Sequence, residues 1–195
     1  LGALLSLFLG AGLYLYLKKD FSVKKLALVA TIGIALLLAF SLRQASTKTH
    51  HTPGFSFEKR LTYWQDSLAI IKSRPLTGVG PGNFDISLSR YAHNSYLQMW
   101  AEMGILGLIS FLWLISIVFK GLLQNIRSAN YQRETIPLAT ACFIFLAHNC
   151  MDFTLFLPEI NILWWIALGL LYCHVNPIRK DEFLQDSISN GVNQN

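Results

Sequence analysis

Charge is scarce in this sequence: only 14% of its 195 residues are Asp, Glu, Lys or Arg. A typical soluble domain carries about a quarter, so an ordinary water-soluble globular fold is excluded. Cysteine is scarce as well. Cys142, Cys150 and Cys173 are the three present, and their spacing fits neither a disulfide framework nor a zinc site. They fall in or beside apolar blocks and read as small packing residues. No D-x-D pair is present to hold a metal on a nucleotide sugar, and there is no Walker A loop or G-x-G-x-x-G fingerprint. The scattered histidines, His50 and His51 among them, lack zinc-ligand spacing. No cofactor is implied, no metal, and no nucleic acid. There is no internal repeat and no low-complexity block.

What the chain does have is apolar residues, 53% of the total, gathered in blocks long enough to cross a bilayer, which takes about 20 residues per helix. Five spans are predicted: Leu1–Leu17, Leu26–Leu42, Ile105–Phe119, Ile136–Met151 and Ile160–Val175. The first lacks a basic n-region and an A-x-A site, which argues against a signal peptide. With Leu rather than Met at position 1, the expectation is the C-terminal part of a longer protein.

Basic residues in short connections set the orientation. Lys18, Lys19, Lys24 and Lys25 lie after the first span, Lys120, Arg127 and Arg133 after the third, and Arg179 and Lys180 in the tail. The connection Asp152–Glu159 has no Lys or Arg. With five spans, all the basic connections share one side, the cytoplasmic one. The fold expected is an all-α polytopic membrane protein, a helical bundle with a large, partly helical extracytoplasmic loop. Residues 1–42 hold two transmembrane helices, 43–95 the loop, 96–175 three transmembrane helices, and 176–195 a cytoplasmic tail. The Ser/Asn/Gln content of the tail predicts disorder.

The loop is basic in spite of facing outward: Arg43, Lys48, Lys59, Arg60, Lys72, Arg74 and Arg90 stand against Glu58, Asp66 and Asp85. That balance suggests an anionic partner there, although most of these charges are also explained by solvation alone. Within the loop, Arg60–Arg74 has helical periodicity, with Leu61, Trp64, Leu68 and Ile71 forming one apolar stripe. Such a helix would lie along the membrane surface or pack on the other spans. Pro75–Phe84, with Gly78, Gly80 and Gly82, is only superficially like a phosphate loop and reads better as an irregular turn.

The run His93-Asn94-Ser95-Tyr96-Leu97-Gln98-Met99-Trp100-Ala101-Glu102-Met103-Gly104-Ile105-Leu106-Gly107 follows. It resembles the signature of the O-antigen ligase/polymerase superfamily, which is His, then Asn, Ser or Gln, nine residues, Gly, two residues, and Gly or a similar residue. His93, Asn94, Gly104 and Gly107 stand at those spacings. Arg60-x-x-x-Trp64 and PLTGVGPGNF resemble that family's large periplasmic loop, and Ala147–Phe153 (AHNCMDF) is similar to a later family segment. Together the similarity runs from about Arg60 to Val175.

The resemblance implies a metal-independent glycosyl transfer at the periplasmic face of a bacterial inner membrane. Glycan would pass from a polyprenyl-pyrophosphate carrier to lipid A-core or a protein. A base takes the acceptor's proton, and cations hold the leaving diphosphate. His93 suits the base, since imidazole titrates near neutrality, and the positive end of a following helix would keep it neutral. Were that helix continuous, Trp100, Gly104 and Gly107 would share a face with His93, the glycines admitting another helix closely. Glu102 would point away and is not its orienting partner. Alone, such a histidine would more readily cap or pack; within this signature the functional reading is favoured.

The resemblance also aligns Arg60 with the family's functional loop arginine, which can bind phosphate oxygens through two parallel hydrogen bonds. Arg90 and Arg74 are further substrate-binding candidates, with Asn94 and Trp64 beside the two motifs, and surface charge is the alternative for each arginine. His148 and Asp152, four apart, would share a helix face and either line the cleft or form a structural hydrogen bond. A polymerase of the same superfamily and a non-catalytic transporter are the competing readings. The spacing of nine favours the ligase, and the near absence of ionisable residues within the spans weakens the transporter.

Overall fold

The computed structural model describes residues 2–19, 22–46, 53–86, 89–127 and 134–176. The side chain of Arg43, together with Lys48, His50, His51, Arg133, Arg179, Lys180 and the tail beyond Asn176, lies outside the described residues. Among those described there are six α-helices and no strand: α1 (Gly2–Leu17), α2 (Val23–Ser46), α3 (Pro53–Ser73), α4 (Ser95–Arg127), α5 (Thr135–His148) and α6 (Pro158–Val175). A 3-10 turn, Thr154–Phe156, precedes α6.

Four of the five predicted spans coincide with or fall inside helices, but the fourth overruns. Helix α5 stops at His148 because Asn149 closes it, its backbone N–H and its side-chain Nδ2 both donating to the Phe145 carbonyl at 3.1 and 2.8 Å. Among the described residues, α4 and α6 are long and apolar enough to cross a membrane, while α1 and α5 are apolar but shorter.

Helices α1, α4, α5 and α6 share one core. Leu17, Phe111, Val118, Leu122, Ile136, Cys142, Trp164 and Leu171 are buried together in it. Trp164 stacks on Phe145 at 5.3 Å and donates its indole N–H to the Cys142 carbonyl at 3.3 Å. Helix α2 packs on α1. The pairings give the bundle two ends. Gly2 meets His148 and Met151 at one end and Gly10 meets Ile144 further along, so α1 runs antiparallel to α5, while Gly121 and Asn125 meet Val175 at the other end. Lys18, Lys19 and Arg127 are therefore at one end of the bundle, and the 149–157 turn is at the opposite one. The outer surface is apolar: Leu106, Trp113 and Leu163 are 65%, 67% and 68% exposed. Soluble monomers rarely show so large an apolar surface.

A second, smaller core forms where α3 lies on the start of α4. Ile71, Phe84, Ile86, Ala92 and Ala101 are buried there, with Tyr63, Ile70, Leu97 and Trp100 around them. The packed face of α3 differs from the expected stripe. Ser67 and Ile71 are buried, whereas Leu61 and Leu68 are 40% and 42% exposed. At 100° per residue this is a rotation of roughly a quarter turn. The rotation points Arg60 and Tyr63, rather than the leucines, into the protein.

Helix α4 is broken at Gly104, where φ is 70° and ψ is −178°. The break frees backbone groups, and the glycine-rich turn takes them up. Val79 N–H donates to the Ala101 carbonyl and Gly80 N–H to that of Glu102, both at 2.9 Å, while Ile105 N–H donates to the Pro75 carbonyl at 3.0 Å. Glu102, 4% exposed, accepts from Gly82 N–H and from Gln98 Nε2, each at 2.9 Å. Gly78 N–H donates to the Arg74 carbonyl. The N–H groups of 78, 79, 80 and 82 are thus all committed within the protein, so this turn is no phosphate cradle. Gly104 also corrects the sequence reading. It does not admit another helix but the Pro75–Gly80 backbone: a Cβ at Gly104 would lie 2.0 Å from the Leu76 carbonyl oxygen.

Candidate functional site

The site lies where α3, the residues before α4 and the turn after α5 come together. His93 stands two residues ahead of α4, in the left-handed region with φ 50°, a conformation uncommon for non-glycine residues. Its ring stacks on Tyr63 of α3, with centroids 5.6 Å apart and planes at 24°. Phe153 meets it in a T-shaped arrangement, with centroids 5.0 Å apart and planes at 87°. Phe153 is itself stacked on Tyr91 at 4.1 Å. Nδ1 of His93 is buried, with no hydrogen-bond partner among the described residues.

Arg60 is one helical turn before Tyr63 and so shares its face. Its guanidinium donates to the Met151 carbonyl, which fixes one edge of a fork carrying five N–H groups. The imidazole of His93 is held below its usual 6.5, first by burial and then by the Arg60 charge, with Asp152 acting in the opposite sense. Burial and the neighbouring cation both favour the neutral imidazole.

The turn that gathers these groups is itself locked. Ser95 N–H donates to the carbonyls of Asn149 and Asp152 at 2.9 and 3.0 Å. Its hydroxyl donates to Asn149 Oδ1 at 2.6 Å, and Leu155 N–H donates to the same oxygen at 2.9 Å. The Asp152 carboxylate lies 3.2 Å from His148 Nε2 and accepts the Phe153 N–H at 2.8 Å. His148 and Asp152 do pair, although across the end of α5 rather than along one helix face.

Residues 1–112 match the O-antigen ligase family, a stretch that includes Arg60, the broken-helix turn and the whole His93–Gly107 signature. The chain belongs to the O-antigen ligase family. With its apolar helices, this makes it a membrane protein of the O-antigen ligase/polymerase superfamily. The Ala147–Phe153 segment lies beyond the matched residues. The chain is also similar to a protein of Haemophilus influenzae described as uncharacterized, at 24% identity over 71% of this chain and 45% of that protein. It thus spans less than half the length of that relative. No solved structure matches it.

Other candidates of this O-antigen ligase family member are placed less centrally. The side-chain oxygen of Asn94 caps α4, accepting the N–H groups of Tyr96 and Leu97 at 3.0 and 3.1 Å, so that oxygen serves the helix. Trp64 is half-buried on the Arg60 face of α3. Arg90 is exposed three residues before His93. Arg74 is exposed just beyond the far end of α3, about 21 Å along the helix from Arg60 at 1.5 Å per residue. The structure therefore brings together His93, Arg60, Asp152 and His148, and leaves Arg74 apart. Sequence reasoning missed Tyr63, Phe153 and Tyr91. Only the Arg60–Tyr63 helical spacing pointed that way.

A pH effect on stability follows. The unfolded chain protonates His93 near 6.5, whereas the folded chain does so only at lower pH. In that window the unfolded state binds more protons, so stability falls as pH falls below 6.5 and is fully present above it. Thermal unfolding in detergent at pH 7.5 and 5.5 is expected to show this loss, and to show less of it in His93→Gln.

Proposed function

We propose that this O-antigen ligase family member transfers glycan from a polyprenyl-pyrophosphate carrier to an acceptor hydroxyl, on lipid A-core or on a protein, at the periplasmic face of the inner membrane. In this reading α1, α2, α4, α5 and α6 cross the bilayer with the lysine-rich end in the cytoplasm. Residues 43–95 form the outer loop, 1–42 and 96–175 the membrane parts, and 176–195 a cytoplasmic tail. Helix α4 has 33 residues, about 50 Å, against a hydrocarbon core of about 30 Å. Its break at Gly104 then separates an outer segment from the span proper.

The observation that carries the reading is the juxtaposition at the 151–153 turn. Arg60 donates to the Met151 carbonyl, the His93 ring packs on Phe153 two residues further on, and the Arg60 charge helps to lower the His93 pKa. His93 accepts the proton of the acceptor hydroxyl. The acceptor oxygen bonds to the anomeric carbon while the carbon–oxygen bond to the diphosphate breaks, with inversion. The polyprenyl diphosphate leaves with the electron pair, and Arg60 neutralises its growing charge. Asp152 and its partner His148 would border the bound substrate, and Arg90 and Trp64 would supply further contacts to donor or acceptor.

Arg60→Ala is expected to cut transfer about 100-fold or more, since an oriented cation on a leaving group is worth that much. Arg60→Lys, which keeps the charge but loses the fork, is expected to cost roughly 10-fold. Lipopolysaccharide gels of a complemented deletion strain test the assignment. Loss of O-antigen with build-up of carrier-linked polymer supports the ligase. Core bearing a single repeat indicates a polymerase of the same superfamily. An unchanged ladder in Arg60→Ala and His93→Ala would count against an enzyme.

A further inference from the structure

Catalytic histidines are usually oriented by a hydrogen bond from the second ring nitrogen to a carboxylate or carbonyl. His93 departs from that pattern. Its Nδ1 is buried and unpartnered among the described residues. The nearby carboxylate, Asp152, is turned to His148 at 3.2 Å and to the Phe153 N–H at 2.8 Å. The backbone at His93, with φ 50°, is one a histidine keeps only where its surroundings hold it there. What surrounds the ring is aromatic: Tyr63 stacked on it and Phe153 set perpendicular to it.

Resting on the reading of His93 as the base, we propose that Tyr63 and Phe153 are positioning residues that fix the His93 ring by packing, in place of the usual hydrogen-bonded orienting group. Each is anchored from a different element. Tyr63 is carried on α3, whose Ser67 and Ile71 are buried on the same side, so the docking of α3 sets the height of the stacking face. Phe153 is pressed between Tyr91, at 4.1 Å, and the His93 ring. Aromatic pairs favour stacked and edge-to-face arrangements, and here one of each holds the same imidazole. With Nδ1 sealed, proton exchange falls to Nε2. The charges that act on the ring are Arg60 from α3 and Asp152 from the turn after α5, and the titratable Tyr63 stacks on it. The charges act on it through space, and the rings determine where it points. The stacking uses the Tyr63 ring, so phenylalanine should replace the tyrosine.

The test uses the intact membrane protein and two readouts. One is the rate of glycan transfer against pH. The other is the pH dependence of His93 modification by diethylpyrocarbonate, which attacks neutral imidazole and is followed by mass spectrometry without reference to activity. Tyr63→Leu and Phe153→Leu are each expected to lower kcat about 10- to 100-fold, the scale of a misplaced catalytic group, with KM little changed. Both are expected to move the His93 modification profile up toward 6.5 as water reaches the ring. Tyr63→Phe should keep most of the rate and the original profile. A Tyr63→Phe enzyme as damaged as Tyr63→Leu, or a modification profile unmoved in both leucine variants, would overturn the clamp. Should Tyr63→Leu fail to accumulate, Phe153→Leu decides alone. Should His93→Ala retain transfer while the profile shifts occur, the base assignment falls and the clamp stands.

Discussion

His93→Ala is expected to lower glycan transfer by about 10²–10⁴-fold, the usual worth of a positioned general base. The protein should still insert and accumulate. His93 makes no hydrogen bond through its Nδ1 among the described residues, and alanine removes a buried polar atom from an aromatic pocket without opening the bundle core. The loss should fall on kcat, because proton transfer occurs in the transition state, and donor binding through Arg60 should persist. An in vitro assay with a synthetic polyprenyl-diphosphate glycan separates these parameters. A variant with unchanged kcat would remove His93 from the chemistry.

Gly104→Ala is expected to be the most destabilising single substitution in the signature. Its backbone, at φ 70° and ψ −178°, lies in a region open essentially to glycine, at a cost of about 1–3 kcal/mol for another residue. Space is lacking as well, because the added Cβ would sit 2.0 Å from the Leu76 carbonyl oxygen and 2.7 Å from Thr77 N. Those neighbours are backbone and cannot swing aside. Relieving the clash pulls Pro75–Gly80 off the helix break, together with the Val79, Gly80 and Ile105 hydrogen bonds, each worth about 1 kcal/mol. A total of about 4 kcal/mol or more is a large part of a protein's marginal stability. Thermal unfolding in detergent should show a steep loss or no recoverable protein. Gly82→Ala is the comparison. It has a positive φ of 76°, but a Cβ there meets nothing within 4 Å, so only the backbone strain applies and the loss should be clearly smaller.

The helices were legible wherever length and apolar content alone decide. Leu1–Leu17, Leu26–Leu42 and Ile160–Val175 needed no tertiary information. The end of α5 was hidden because Cys150 and Met151 are apolar enough to continue a helix, and what stops it is the Asn149 cap. The stripe on α3 was legible by hydrophobicity, but the polar and aromatic face beside it was not. Leu61, Trp64, Leu68 and Ile71 do form a stripe, but the helix turns Arg60, Tyr63 and Ser67 inward, where polar and aromatic partners wait. Gly104 and Gly107 read as a site of close helix approach. Gly104 is instead a break filled by a loop about 25 residues earlier, a pairing no local pattern announces. Arg60 and His93 were singled out by the family signature and its loop, and the structure places them against one turn. Tyr63 and Phe153 escaped notice because their meaning arises only when segments 30 and 60 residues from His93 fold onto it.

The central claim is that His93 and Arg60 serve one reacting centre, and a double-mutant cycle on the transfer rate tests it most directly. Rates are measured for the intact wild-type protein, His93→Ala, Arg60→Ala and the double variant, with one lipid-diphosphate donor. Groups that act together give strongly non-additive losses, so the double variant should be little slower than the worse single one. If the two losses simply multiply, or if either single variant transfers glycan at the wild-type rate, the account is wrong.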